Sequence, residues 1–346
     1  MVTVALTRRR TRRETVAAAL EAIADRIDLD DVRRVLVKPN FVTTRRPLAA
    51  THVDGVRAVL DFLRARYDGP IVIAEGAALS PTWEGFRNYG YGPLAEEYDV
   101  TLRDLNTDDT VEVVVYDRRL RPMRLRLART AAEADLRISI CPPKTHDTVI
   151  VTLTIKNMVM GSLVNPYADR SAAAGPGLGT LARIGRLVPG RLRRSALAER
   201  VKGTLLGGPS GSQKMAMHQG IPVINLNLAL VAQVVWPDLA VIDGWEGMEG
   251  EGPGHGDPVP WRVALAGTDP LAVDALAAHL MGFDPGGIGY LHYCHRLGLG
   301  TADLGAIRTV GDLEPKAALR PFRPHPTVEE QRRWNLPEAE ELLGIG

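Results

Sequence analysis

The residues with the most chemistry in them stand directly behind short hydrophobic runs. Lys38-Pro39-Asn40 follows residues 34–37, and Glu75-Gly76 follows 71–74. Cys141-Pro142-Pro143-Lys144-Thr145-His146 follows 136–140, Asp243-Gly244 follows 239–242, and Thr268-Asp269-Pro270 follows 263–266. Lysine and asparagine are the side chains that hold carboxylate or phosphate groups, and histidine is the usual proton carrier near neutral pH. A lysine kept among other cations loses basicity and becomes a base or nucleophile. Each signal has a plain reading too: Asp or Asn before Pro or Gly is ordinary turn and cap chemistry, and Thr268-Asp269-Pro270 reads as a cap with proline in the first helical position. The coincidence across five runs carries the weight, because charged groups at the ends of buried strands cost desolvation unless they meet partners or a ligand.

Two segments concentrate the candidates. In 144–161, Lys144, Thr145 and His146 precede Thr152, Thr154, Lys156, Asn157 and Gly161, and a helix over 149–160 would put Thr152, Lys156 and Asn157 within one turn. Lys38, Lys144 and Lys156 would bind a small anionic substrate, with Asn40, Thr145 and Asn157 around it and His146, Lys156 or Lys144 doing the catalytic work. The plain alternative is two surface lysines and a capped turn histidine. Residues 243–257 hold five carboxylates and one imidazole among six glycines. Asp243, Glu246, Glu249 and Glu251 suit Mg or Mn, and His255 adds affinity for Fe or Zn. The spacing matches neither the calcium loop nor the helical two-histidine zinc motif, and a solvated acidic turn is the alternative. His218 follows a Gly/Ser stretch that would let it act at a closing lid. Residues 207–214 look like a phosphate loop but lack a preceding strand and the required spacing.

The elements that must position these residues alternate. Runs rich in Val, Ile and Leu at 2–6, 34–37, 71–74, 136–140, 239–242 and 263–266 suit strands buried on both faces. Helical periods lie at 14–27, 53–67, 83–98, 223–235 and 271–281. The pattern predicts an α/β fold with a largely parallel sheet and helices on both faces. Residues 111–116 and 123–127 read as a small antiparallel hairpin. A single domain over 1–311 would carry a long Gly/Arg-rich insertion at 165–214, either a lid or a docking segment, and 312–346 would wrap the surface. In an open parallel sheet, ligands bind outside the carboxyl ends of the strands.

Lys plus Arg (42) nearly balances Asp plus Glu (41), so no global field steers the chain to nucleic acid or an anionic membrane. The run Arg8, Arg9, Arg10, Arg12, Arg13 reads as a solvated turn and helix start. Two cysteines, Cys141 and Cys294, are too few for a disulfide framework or for an iron–sulfur cluster within the chain. No apolar stretch reaches about eighteen residues and no signal peptide is visible, so a cytoplasmic location is expected.

Several motifs together resemble an uncharacterised family, domain of unknown function 362: Val-Lys-Pro-Asn at 37–40, Pro-Lys-Thr-His at 143–146, Ile-Lys-Asn-Met-Val-Met-Gly at 155–161, Ile-Asp-Gly through Met-Glu-Gly-Glu-Gly-Pro at 242–253, and Thr-Asp-Pro-Leu-Ala-Val-Asp-Ala at 268–275 with Met281-Gly282. The resemblance spans about 35–311. It implies that Lys38, Asn40, Lys144, His146, Lys156, Asn157, His218, Asp243, Glu249, Asp269 and Asp274 are functional, with His218, Asp269 and Asp274 joining the substrate-binding set. Many relatives carry ferredoxin-type cysteine clusters, from which this chain departs. Three functions are expected: an enzyme acting on a small anionic substrate, with a divalent metal; a non-catalytic metal or cofactor carrier or maturation protein; and a redox protein served by a separate ferredoxin. A homo-oligomer or a protein partner is compatible with each.

Overall fold

In a computed structural model, which describes residues 1–166 and 212–345, the chain forms an α/β fold around one eight-stranded sheet. Its strands are β1 (Val2–Thr7), β2 (Val35–Lys38), β3 (Ile71–Glu75), β4 (Thr101–Asp104), β7 (Leu136–Cys141), β10 (Leu239–Gly244), β13 (Val263–Gly267) and β14 (Ile307–Val310), in the spatial order β14-β1-β13-β10-β7-β2-β3-β4. Every neighbouring pair is parallel except the two that involve β13, which runs against both β1 and β10. The predicted hairpin is present as β5 (Thr110–Tyr116) and β6 (Pro122–Ala128).

Helices cover both faces, because alternate strand residues point to opposite sides. Val35 and Val37 of β2 face the helices Arg12–Glu21 and Val53–Arg64, together with Val16, Leu20, Val59 and Leu63. Leu36, between them, faces the other layer, formed by the helices Thr154–Ser162, Ile221–Ala232, Pro270–Leu280 and Gly289–Arg296. The helix starts follow the expected cap chemistry. Thr11 and Glu14 form a reciprocal capping box, and the Asp269 carboxylate accepts from the Ala272 amide.

The chain order explains where a crevice opens. From β2 the chain steps outward to β3 and β4, then returns to β7 on the other side of β2 and continues to β10. The strand order therefore reverses between β2 and β7, and in such sheets the crevice lies at the carboxyl ends of those two strands. β8 (Lys144–Thr145), β9 (Val151–Thr152), β11 (Gly247–Glu249) and β12 (Asp257–Val259) form a small four-stranded sheet at this edge, in the order β12-β11-β8-β9.

Four expectations need correction. Residues 149–160 are not one helix: residues 151 and 152 pair with Lys144 and Thr145, and the helix begins at Thr154. The helix expected over 83–98 is two short ones, Thr82–Asn88 and Leu94–Glu97, broken at Gly90 with φ +76° and at Pro93. Because β13 is antiparallel, Thr268-Asp269-Pro270 lies at the edge opposite the other strand ends. The tail after Gly311 does more than cover the surface, since its Phe322 and Gln331 are buried. Most of the expected lid, residues 167–211, lies outside the described residues.

Candidate functional site

At the switch point the ends of β2 and β7 deliver the predicted cluster. Lys38 is fully buried; its ammonium donates to Pro39 O (2.9 Å), to Asn157 Oδ1 (2.9 Å) and to the Glu75 carboxylate at the end of β3. Lys144, also fully buried, donates to Asn40 Oδ1 and to Ala49 O (3.0 Å). Asn40 Nδ2 donates to Asn157 Oδ1 (3.0 Å), so the two lysines are joined through two amides. Asn157 Nδ2 in turn reaches Ser139 Oγ (3.0 Å) and Lys38 O (3.3 Å), which ties the helix Thr154–Ser162 to both strands.

Burial governs the electrostatics. It lowers the basicity of Lys38 and raises that of Glu75, while their mutual attraction opposes both shifts. Lys144 is lowered to about 7, mainly by burial, with a contribution from nearby Lys156. Lys214, buried just after the undescribed segment, is also lowered to about 7. It donates to Met160 O (2.8 Å) and to Leu163 O, the end of the helix Thr154–Ser162, where a cation is favoured.

Lys156 differs from the other three. It is 5% exposed, its amine is lowered by burial to about 8, and it has no hydrogen-bond or ion-pair partner among the described residues. Thr152, opposite Lys144 in the β8–β9 pair, has a buried hydroxyl that is likewise without a partner. His146 is buried and held well below its ordinary pKa by burial and then by Lys156, so it is a neutral imidazole. The Thr148 amide donates to its Nδ1 (3.0 Å). Asp147 Oδ1 lies 3.0 Å from the same Nδ1. Thr145 donates to Gly250 O (3.0 Å), joining the hairpin to the glycine-rich loop.

A family model described as a domain of unknown function, DUF362, matches residues 35–279, more than half of the chain. The chain belongs to this family. The match contains every residue of the lysine cluster. A thylakoid-associated protein of Synechocystis sp. is 24% identical over 315 residues, covering 88% of this chain and 77% of the relative. The lactate racemase apoprotein from Thermoanaerobacterium thermosaccharolyticum aligns with a TM-score of 0.40 and 12% identity, over 85% of this chain and 56% of that one, so the chain spans little more than half of that structure's length. No helix among the described residues is long and apolar enough to cross a membrane.

Not every candidate joins the cluster in this DUF362 chain. Asp243 is buried against the Arg12 guanidinium, with Nε to Oδ1 at 3.2 Å, and accepts from the Trp245 amide. Burial raises its pKa despite Arg12. Glu249 accepts from the Arg323 amide (3.0 Å), whereas Glu246, Glu251 and His255 are exposed. Among the described residues no three His, Cys, Asp or Glu side chains come together as a metal site, so the five expected ligands are not assembled. Asp269 caps its own helix and also accepts from the Thr301 amide. Asp274 is fully buried and accepts from Thr154 N, Thr154 Oγ1 and Ile155 N, capping the helix that bears Lys156. Burial pushes it up to about 7 against those three hydrogen bonds. His218 bonds Lys214 O through Nδ1.

Three contributors were missed by sequence reasoning. Arg12 stood in a run read as solvated, Lys214 in a loop set aside, and Gln331 in a tail assigned to the surface. Only the alternation that places the end of β1 at the same edge as β2 and β7 could have flagged Arg12. Lys214 and Gln331 have no local signal.

Proposed function

We propose that this chain is an enzyme that acts on a small substrate bearing a carboxylate or phosphate group, bound at the β2/β7 switch point. The observation that carries the reading is Lys156, a residue only 5% exposed whose amine has no hydrogen-bond or ion-pair partner among the described residues, while Lys38, Lys144 and Lys214 are each held by two or more oxygens. An anionic ligand would give the Lys156 amine the partner that the described residues do not, and a hydrogen bond to a charged group contributes about 1.5–3 kcal/mol. The Thr152 hydroxyl offers a second free donor. His146, buried and neutral beside Lys156, is the candidate proton-transfer group, and Lys156 as the ammonium holds the anion.

Isothermal titration with sulfate, which does not titrate near neutral pH, tests the binding half. Wild type should bind and Lys156→Met should bind at least tenfold more weakly with an unchanged circular dichroism spectrum. No binding to wild type at millimolar sulfate would end the reading. A panel of carboxylated and phosphorylated metabolites followed by NMR tests the catalytic half, with turnover expected in wild type and lost in His146→Gln. Retention of binding without any turnover would favour a carrier.

A further inference from the structure

A hollow of about 340 Å³ lies on the same edge of the sheet, beyond β1 and β13. Three strand spacings, about 14 Å, separate β13 from β2. The hollow is lined by Arg8, Trp261, Arg262 and Arg320 with Pro260 and residues 317–319, none of which belongs to the lysine cluster. Arg8 follows β1 and Arg262 precedes the reversed β13, so the topology brings both to one edge, and Arg320 comes from the tail.

The arginines around the hollow divide into two groups. Arg9 pairs with Asp312, Arg12 with Asp243, and Arg323 with Asp257 and Glu249. The guanidinium groups of Arg8, Arg262 and Arg320 pair with no carboxylate among the described residues, although the Arg8 amide donates to Asp312 Oδ1 (3.1 Å), and the hollow has no acidic residue in its lining. Two of them are held in place. The Arg8 side chain reaches Ala317 O at 3.5 Å. Arg262 has φ +62°, a conformation that non-glycine residues rarely adopt, and its guanidinium lies 4.1 Å from the centre of the Trp245 ring. Such a backbone persists only where its surroundings over-determine it, and here it fixes the direction of a cation. The floor is rigid too, since Trp261 Nε1 donates to Ala318 O (2.6 Å) and its ring packs edge-on against Phe322.

We infer that this hollow is a second anion site, which takes a small phosphorylated molecule carrying two or more negative charges through the guanidinium groups of Arg8, Arg262 and Arg320. Planar guanidinium groups suit phosphate oxygens, and the volume lies at the low end of ligand pockets. The site is independent of the lysine cluster and of the function proposed for it.

Inorganic pyrophosphate titrated calorimetrically into Lys156→Met protein, in which the lysine site is disabled, tests the inference. One site is expected, and Arg262→Ala/Arg320→Ala added to that background should weaken it at least tenfold, whereas Arg118→Ala/Arg119→Ala, an exposed pair elsewhere, should leave it unchanged. Equal affinity with and without the Arg262 and Arg320 side chains overturns it, as does the absence of any binding at millimolar pyrophosphate. An oligonucleotide that binds this face more tightly than pyrophosphate overturns it as well.

Discussion

Asn40 Nδ2 donates to Asn157 Oδ1 across 3.0 Å, and that contact couples the two lysines at the end of β2 and in the hairpin after β7. Asn157 Oδ1 also accepts from Lys38, and Asn40 Oδ1 accepts from Lys144, so each amide orients one ammonium while bonding the other amide. Networks of this kind are rigid when complete and costly when one member is lost.

Asn157→Ala should therefore be strongly destabilising. It leaves Lys38, Asn40 Nδ2 and Ser139 Oγ each short of a partner in a dry site, at about 1–3 kcal/mol for each unsatisfied group. Chemical denaturation should show a loss of about 3 kcal/mol or more. A change under about 1 kcal/mol would mean that water enters and replaces the amide.

Gly161 is required by contact and not by backbone angle. A Cβ there would overlap Lys38 Cε and Nζ and lie 2.9 Å from Glu75 Oε1. Gly161→Ala should cost about 1–3 kcal/mol as an overpacked site, and the cost should couple to Lys38 in a double-mutant cycle with Lys38→Met. Additive effects would show that the lysine moves away freely.

Anion binding should depend on pH through Lys156. Its ammonium form binds and its amine does not, and burial places the transition at about 8. Sulfate affinity should thus be flat below about pH 7.5 and fall roughly tenfold per unit well above 8. Stability of the free protein should run the other way. A lysine with a lowered folded pKa binds fewer protons folded than unfolded, so its contribution to stability rises between about pH 8 and the unfolded value near 10.4. Affinity that is unchanged to pH 9.5 would place the anion on the arginines instead.

How much of this was legible in the sequence can be read from Lys144 and Asp269. Both follow a Val/Ile/Leu-rich run, so both read as strand ends facing a common crevice. Strand direction is decided by long-range pairing, and β13 alone is reversed, which sends Asp269 to the far edge while Lys144 stays with Lys38. The chemistry of single residues was visible, including the Asp269 cap. Burial of four lysines was not, because composition prices a lysine as exposed and only the assembled crevice excludes water from it. In the acidic loop at 243–257 the carboxylates cluster along the chain, but Asp243 turns into the sheet toward Arg12 while Glu249 turns out toward Arg323.

That divergence makes a prediction about metal. Asp243→Ala/Glu249→Ala removes two ion pairs whose carboxylates lie apart among the described residues, so any metal that copurifies, read by plasma mass spectrometry, should be unchanged in amount. Loss of near-stoichiometric metal from the double variant would show that the loop rearranges around an ion.

The last prediction concerns Gln331, which lies beyond the residues that the family model matches. Its Nε2 donates to His146 O (2.9 Å) and its Oε1 accepts from the Ile150 amide, so it bridges the two sides of the turn between β8 and β9. Ile150 sits at φ +67°, an unfavourable conformation for a β-branched residue, and it needs an external hold. Gln331→Ala should release the turn, and amide exchange in a peptide covering 144–152 should speed at least tenfold while the rest of the sheet stays protected. Gln331→Glu keeps an acceptor for Ile150 and loses the donor to His146, so its exchange should be intermediate and confined to the same peptide. If exchange in 144–152 matches wild type in both variants, the turn holds itself and the tail is only a cover.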